Sequence, residues 1–120
     1  MPYTALVLDS DSRAKLIRAV GMFIRPEWEV IAHHMTISFG ADSHNDEGEA
    51  KFVTATHFGE LDNVCAVRVS TGELELSNDV PHVTIAVDRE AGGKPFFSNK
   101  ITKWTKIEPL VLSGVVKVCA

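Results

Sequence analysis

Cysteine is scarce in this sequence, and long apolar runs are absent. The 120 residues include two cysteines, Cys65 and Cys119, with no Cys-x-x-Cys pair and no ligand spacing of a zinc site. Both lie in apolar, strand-like stretches, which favours buried and reduced thiols. No apolar run approaches the length that spans a membrane. The start Met1-Pro2-Tyr3 leads straight into a strand, so we expect no signal peptide and a cytosolic protein, of a host cell or of a phage within it.

An excess of basic charge is also missing. The formal net charge is −4 at neutral pH, which argues against a general nucleic-acid coat protein. It is compatible with a small anionic ligand, or with an RNA end, in a locally basic cleft. No linker divides the chain, so its length predicts a single domain over residues 1–120 with a core of its own. No obligate protein partner is evident.

Apolar periodicity and turn residues predict the element order β-α-β-β-β-(β)-β-α-β. We expect strands at residues 3–8, 28–39, 50–58, 63–70, 73–76, 81–87 and 109–119, and helices at roughly 12–22 and from 94 through 104. This order predicts an α+β domain with a mostly antiparallel sheet and two helices. Its strand–helix–strand start is loosely mirrored at its end. Such pseudo-symmetry would place strands 28–39 and 81–87 side by side.

Those two strands carry the same short motif. His34 is followed two residues later by Thr36, and about fifty residues further on His82 is followed by Thr84. Residues two apart in a strand face the same side, so each strand presents an imidazole and a hydroxyl together. The intervening apolar residues then face a core. Two such strands in one cleft would form a near-symmetric box of two histidines and two threonines.

This box suits chemistry at a phosphate. Histidine titrates near neutral pH, so one imidazole can accept a proton while the other donates one. On opposite sides of a phosphate, they would activate a water or hydroxyl and protonate the leaving oxygen. The hydroxyls of Thr36 and Thr84 can donate hydrogen bonds to the non-bridging oxygens as their charge grows. No metal or cofactor is needed in this scheme.

The remaining histidines leave alternatives open. His33 faces opposite to His34 in a regular strand, although a register error of one residue would exchange the two. We expect His44 to be solvated in the acidic loop 41–49, which is either a lid over the cleft or a plain surface loop. His57 lies at a strand end and could line the cleft. A metal site built from His33 or His34 with His57 and His82 is a further alternative, although no cysteine or carboxylate stands at tight spacing.

The paired His-x-Thr-apolar motifs resemble those of the two-histidine (2H) phosphoesterase superfamily, which includes RNA 2′,3′-cyclic phosphodiesterases and phage enzymes that cleave cyclic nucleotide signals. The resemblance implies a pseudo-symmetric, two-lobed α+β fold with both motifs in a central cleft. By resemblance, His34 and His82 are the acid–base pair, and Thr36 and Thr84 bind the phosphate. It implies a metal-independent phosphodiesterase acting on 2′,3′-cyclic phosphate RNA ends or cyclic nucleotides. The alternative is a non-catalytic module that binds a nucleotide or RNA end. The chain is shorter than most of this superfamily, so one lobe would be trimmed.

The stretch after the second motif offers further candidate contacts. Two glycines at 92 and 93 precede Lys94, and Ser98 and Lys100 follow at the predicted helix start. Glycines allow close backbone approach, helix N-termini favour anions and lysines add charge, so this stretch is a candidate for substrate phosphate contacts. The alternative is a loop and cap with solvated lysines. The spacing is not that of a P-loop.

Overall fold

The computed structural model describes residues 3–39, 46–71 and 80–119. The strands are β1 Tyr3–Leu8, β2 Glu29–Val30, β3 His34–Phe39, β4 Ala50–Leu61, β5 Val64–Ser70, β6 His82–Val87 and β7 Trp104–Cys119. Helix α1 is Ser10–Val20, and the short 3-10 helices are Gly21–Phe23 and Pro95–Lys100. The expected strand 73–76, His44 and most of the expected lid loop lie outside the described residues.

Every strand pairing in the described part of the chain is antiparallel. The order is β2-β6-β3-β1-β7-β4-β5, and β5 also pairs with β6, so six strands close on themselves and β2 attaches to β6. The expected α+β class with a mostly antiparallel sheet is therefore confirmed. Closure was not anticipated, because strand periodicity says which face is buried but not which edge strands meet. The two-lobed, pseudo-symmetric arrangement stays a prediction.

Helix α1 begins and ends close to the expected 12–22. Asp9 caps it, since its carboxylate accepts the Ser12 backbone N–H at 2.7 Å. Leu16 and Val20 are fully buried and belong to the main core. That core joins the helix to apolar side chains from the inner faces of the strands. No helix among the described residues is long and apolar enough to cross a membrane.

The expected second helix, from 94 through 104, is present but is shorter and is a 3-10 helix. Residues Pro95–Lys100 form a 3-10 helix, Ile101 is already extended, and β7 begins at Trp104. The apolar spacing that predicted a helix does mark a buried stripe, because Phe97, Ile101 and Trp104 pack in a second core cluster. A 3-10 turn followed by an extended chain presents the same residues to that cluster, so spacing alone cannot distinguish the two conformations.

The first motif strand is broken in two. Ala32 has a φ of +42°, a left-handed conformation that separates β2 from β3. The backbone N–H groups of Ile31 and Ala32 donate to the carbonyls of Ile85 (2.7 Å) and Thr84 (3.0 Å). At this break the chain is therefore hydrogen-bonded to β6, immediately before the first motif histidine.

Candidate active site

The two motif strands lie side by side, as expected. Met35 of β3 pairs with Val83 of β6, and both side chains are fully buried. Continuing this antiparallel register by one residue in each direction places His34 beside Thr84 and Thr36 beside His82. These four side chains lie on the face opposite to the core, in a square whose diagonal corners are the histidines. Diagonal neighbours on such a face are about 7–8 Å apart, enough to bracket a phosphate.

A pocket of about 240 Å³ opens over this square. It contains all four motif side chains, and six further residues complete its lining: Tyr3, Ile31, Phe39, Pro95, Phe96 and Asn99. Phe39 and Phe96 are 59% and 64% exposed, so their rings project into solvent at the pocket rim. The site therefore combines a polar floor with an apolar and aromatic surround.

His82 is oriented by the backbone. Its Nδ1 lies 2.8 Å from the Val80 carbonyl oxygen, which can only accept, so Nδ1 carries the proton. The other ring nitrogen, Nε2, is left to exchange a proton with a ligand. A carbonyl partner of this kind fixes both the tautomer and the ring orientation.

His34 lies in a different environment. Its Nδ1 is 3.0 Å from the Nδ1 of His33, and its ring centroid is 5.4 Å from that of Tyr3. Burial, and then the charges of His33 and His82, lower the pKa of His34 to about 4. The imidazole of His34 is therefore neutral at neutral pH and able to accept a proton.

Thr84 is held from behind by Ser98. The two hydroxyl oxygens lie 2.8 Å apart, and Ser98 is only 2% exposed. Ser98, a candidate substrate contact, thus touches a motif threonine and does not itself line the pocket. Lys94 and Lys100 are exposed and do not line the pocket either; the Lys100 ammonium lies 5.4 Å from the Phe97 ring centroid. A substrate contact by these three residues stays a prediction.

His33 and His57 do not line this pocket. His33 precedes β3, so it does not occupy the opposite face of a regular strand as expected, and its exposed ring contacts His34. His57 lies within β4 at a register shift, not at the strand end, with Nδ1 2.8 Å from the Thr56 hydroxyl. In the described ranges, no group of three or more His, Cys, Asp or Glu side chains is arranged to hold a metal ion.

Sequence reasoning missed the aromatic surround. Tyr3 and Phe39 meet because β1 and β3 pair with Tyr3 opposite Phe39. Phe96 reaches the rim through the 3-10 helix, whose backbone was expected to be α-helical. Of these three rings, only Tyr3 had a pattern in the sequence that indicated its face, because alternation within β1 puts it on the same side as Ala5 and Val7. The positions of Phe39 and Phe96 depend on strand pairing and on the path of the chain after β6.

Comparisons with protein-family models, with curated proteins and with solved structures found no match to this chain. The likeness to two-histidine phosphoesterases therefore depends on the motifs and stays a prediction.

Proposed function

We propose that this protein is a metal-independent phosphodiesterase that acts on 2′,3′-cyclic phosphate RNA ends or on cyclic nucleotides. The observation that carries the proposal is the square of two histidines and two threonines in one pocket, with the histidines at opposite corners. In-line displacement at phosphorus needs a base and an acid on opposite sides of the phosphate, and this square offers that geometry. The site belongs, in this proposal, to a cytosolic member of the two-histidine phosphoesterases.

The two histidines divide the proton transfers in this mechanism. Neutral His34 takes a proton from a water molecule, whose oxygen attacks phosphorus. As the new P–O bond forms, the bond from phosphorus to one ribose oxygen breaks. Protonated His82 gives the proton on Nε2 to that leaving oxygen, while its Nδ1–H remains on the Val80 carbonyl.

The threonines stabilise charge on the phosphate. Each hydroxyl can donate to a non-bridging oxygen, and such a bond strengthens as negative charge accumulates in the transition state. Thr84 is fixed for this role because its oxygen is held by Ser98. When the Ser98 hydroxyl is the donor in that pair, the Thr84 hydroxyl donates to the Pro95 carbonyl oxygen at 3.4 Å, and in this mechanism it turns from that long bond to the ligand.

The aromatic surround suits a nucleoside. Phe39 and Phe96 offer exposed ring faces at the rim, and Tyr3 lies beside His34. Stacking of a base on an aromatic ring is worth about 1–3 kcal/mol and tolerates any base. We infer that the base attached to the reacting ribose lies against these rings.

The test is hydrolysis of a nucleoside 2′,3′-cyclic phosphate and a panel of cyclic di- and trinucleotides in EDTA, followed by chromatography. We expect turnover that is lost in His34→Ala and His82→Ala, with melting temperature and circular dichroism showing that both variants fold. Thr84→Ala should lose roughly 10²-fold or more in kcat, by analogy with removal of an oxyanion donor. Thr102→Ala, an exposed threonine outside the pocket, is the matched control.

Two outcomes would contradict catalysis by this pair. Full activity in either histidine variant would exclude the acid–base assignment. Binding of the panel nucleotides without any product over long incubation would favour the non-catalytic binding module instead. A bell-shaped pH profile of kcat/KM is expected of an acid–base pair, with its acid limb near pH 4 because the pKa of His34 is lowered to about 4.

A further inference from the structure

A row of basic side chains continues from the pocket across the outer face of the sheet. Arg68 of β5 pairs with His82 on one side and with His57 of β4 on the other. His57 in turn pairs with Lys106 of β7. Residues directly opposite each other in antiparallel strands share a face, so these four side chains form one line across the strands. We call Arg68, His57 and Lys106 the basic row; it begins beside His82.

The charges of this row are available to a ligand. Arg68 and Lys106 are exposed, and the ion pairs between described residues use other cations, namely Arg25, Lys51 and Arg89. Arg68 and Lys106, which have no ion-pair partner among the described residues, lie on one sheet face next to a phosphate-sized pocket and form a local positive field.

The backbone holds the middle of the row in place. The Thr56 hydroxyl donates to the Arg68 carbonyl at 3.4 Å and lies 2.8 Å from Nδ1 of His57. The contact with Thr56 orients the His57 ring. The row ends at Lys106, and Glu108, two residues further along β7, is also exposed.

We propose that the basic row binds the backbone phosphates of a linear RNA strand whose reacting end lies in the pocket. This inference rests on the proposed function and names its substrate class: an oligonucleotide end, in preference to a cyclic mononucleotide. From His82 to Lys106 the row spans about 14 Å, three inter-strand spacings of about 4.8 Å. That length accommodates several phosphates, which lie about 3.4 Å apart along the axis of a stacked strand. Arg68 can take a phosphate in a bidentate manner, and Lys106 acts as a point charge.

The direction of the row fits the rest of the site. The aromatic rings of Tyr3 and Phe39 lie on the β1 and β3 side of the square, whereas the row leaves it on the β5 side. When the terminal base stacks on these rings and its phosphate lies between the histidines, the rest of the RNA therefore passes over Arg68. A mononucleotide would leave the row unused.

Binding is measured with a fluorescein-labelled RNA hexanucleotide that ends in a 3′-phosphate, so no cyclic phosphate is available for hydrolysis. Fluorescence anisotropy gives Kd between about 50 and 200 mM salt for the wild type, Arg68→Gln, Lys106→Gln and the double variant. Each single variant should raise Kd about tenfold, as for loss of a hydrogen bond to a charged group. Each should also flatten the slope of log K against log salt by about 0.7, the value for one phosphate contact on a single strand. The control is Lys15→Gln, an exposed lysine on α1 outside the row.

The outcomes separate this inference from the proposed function. Equal Kd and equal salt slope in wild type and variants would overturn the basic row, even if cyclic ends are hydrolysed. Weaker binding and a lower slope in the variants would support it, even if no hydrolysis occurs. If cyclic ends are hydrolysed, the double variant should also lose more kcat/KM for an RNA hexanucleotide with a 2′,3′-cyclic end than for the cyclic mononucleotide. Equal losses for the two substrates would contradict the substrate class.

Discussion

The hydroxyls of Thr84 and Ser98 lie 2.8 Å apart, and this contact joins the second motif strand to the 3-10 helix that follows it. Ser98 is buried, so it positions Thr84 from behind. The same short helix carries Phe96 and Asn99 into the pocket lining. This pair of hydroxyls thus positions Thr84, a proposed phosphate ligand, and the 3-10 helix that forms part of the pocket wall.

Ser98→Ala should lower kcat/KM and stability together. The loss of one buried hydrogen bond is expected to reduce the free energy of unfolding by about 1 kcal/mol. The rotation of an unanchored Thr84 should reduce kcat about fivefold with little change in KM, since Ser98 itself does not line the pocket. Steady-state kinetics and urea denaturation provide the two readouts. Ser70→Ala, at an exposed serine, serves as the control; a change in KM alone would instead indicate that Ser98 contacts substrate.

The buried environment of His34 predicts a pH-dependent stability. Its pKa falls from 6.5 to about 4 on folding, mainly through burial. Below pH 6.5 His34 is protonated in the unfolded chain, whereas in the folded protein it stays neutral until about pH 4. The stability contributed by neutral His34 is therefore complete above pH 6.5 and is lost as the pH falls from 6.5 to 4.

His34→Asn should remove this part of the pH dependence. Urea denaturation of both proteins from pH 4 to 8 is the measurement, and the comparison cancels contributions from carboxylates shared by both. Relative to wild type, the variant should gain stability steadily from pH 6.5 to 4 and show a constant difference from pH 7 to 8. Parallel curves across the whole range would show that His34 has the same pKa in the folded and unfolded states.

Much of the site followed from strand alternation. The sequence pattern predicted that Met35 and Val83 face the core while His34 and His82 face away, and the burial of each confirms it. Alternation is local and is enforced by every buried apolar residue, so it can be read from one strand at a time. The bounds of β1 and the position of α1 were also predictable, because strand alternation and helical spacing are both local patterns.

Other features depend on contacts between distant segments. The left-handed turn at Ala32 carries no signal, because alanine is not a residue that prefers positive φ. Arg68 lies beside His82 only because β5 pairs with β6 in one particular register. Neither the closure of the sheet nor the basic row could be predicted from periodicity, which says nothing about partners.

Phe96 should contribute binding to nucleotides. Phe96→Ala is expected to raise KM for a nucleoside 2′,3′-cyclic phosphate about tenfold with kcat nearly unchanged, because stacking acts on ground state and transition state alike. Phe52→Ala is the matched control, since Phe52 is 69% exposed on β4 and does not line the pocket. Similar KM values in the two variants would show that the base does not lie on Phe96.

Thr4 offers a test of the core that is independent of function. Its side chain is fully buried in β1, and its hydroxyl oxygen has no hydrogen-bond partner among the described residues. A buried hydroxyl without a partner costs about 1–3 kcal/mol, and valine has nearly the same shape without the polar atom. Thr4→Val should therefore raise the free energy of unfolding in urea by about 1 kcal/mol with an unchanged m-value, whereas Thr54→Val, at a partly exposed site on β4, should change it by less than about 0.5 kcal/mol. A Thr4→Val protein less stable than the wild type would mean that the hydroxyl is satisfied in solution, for example by a buried water.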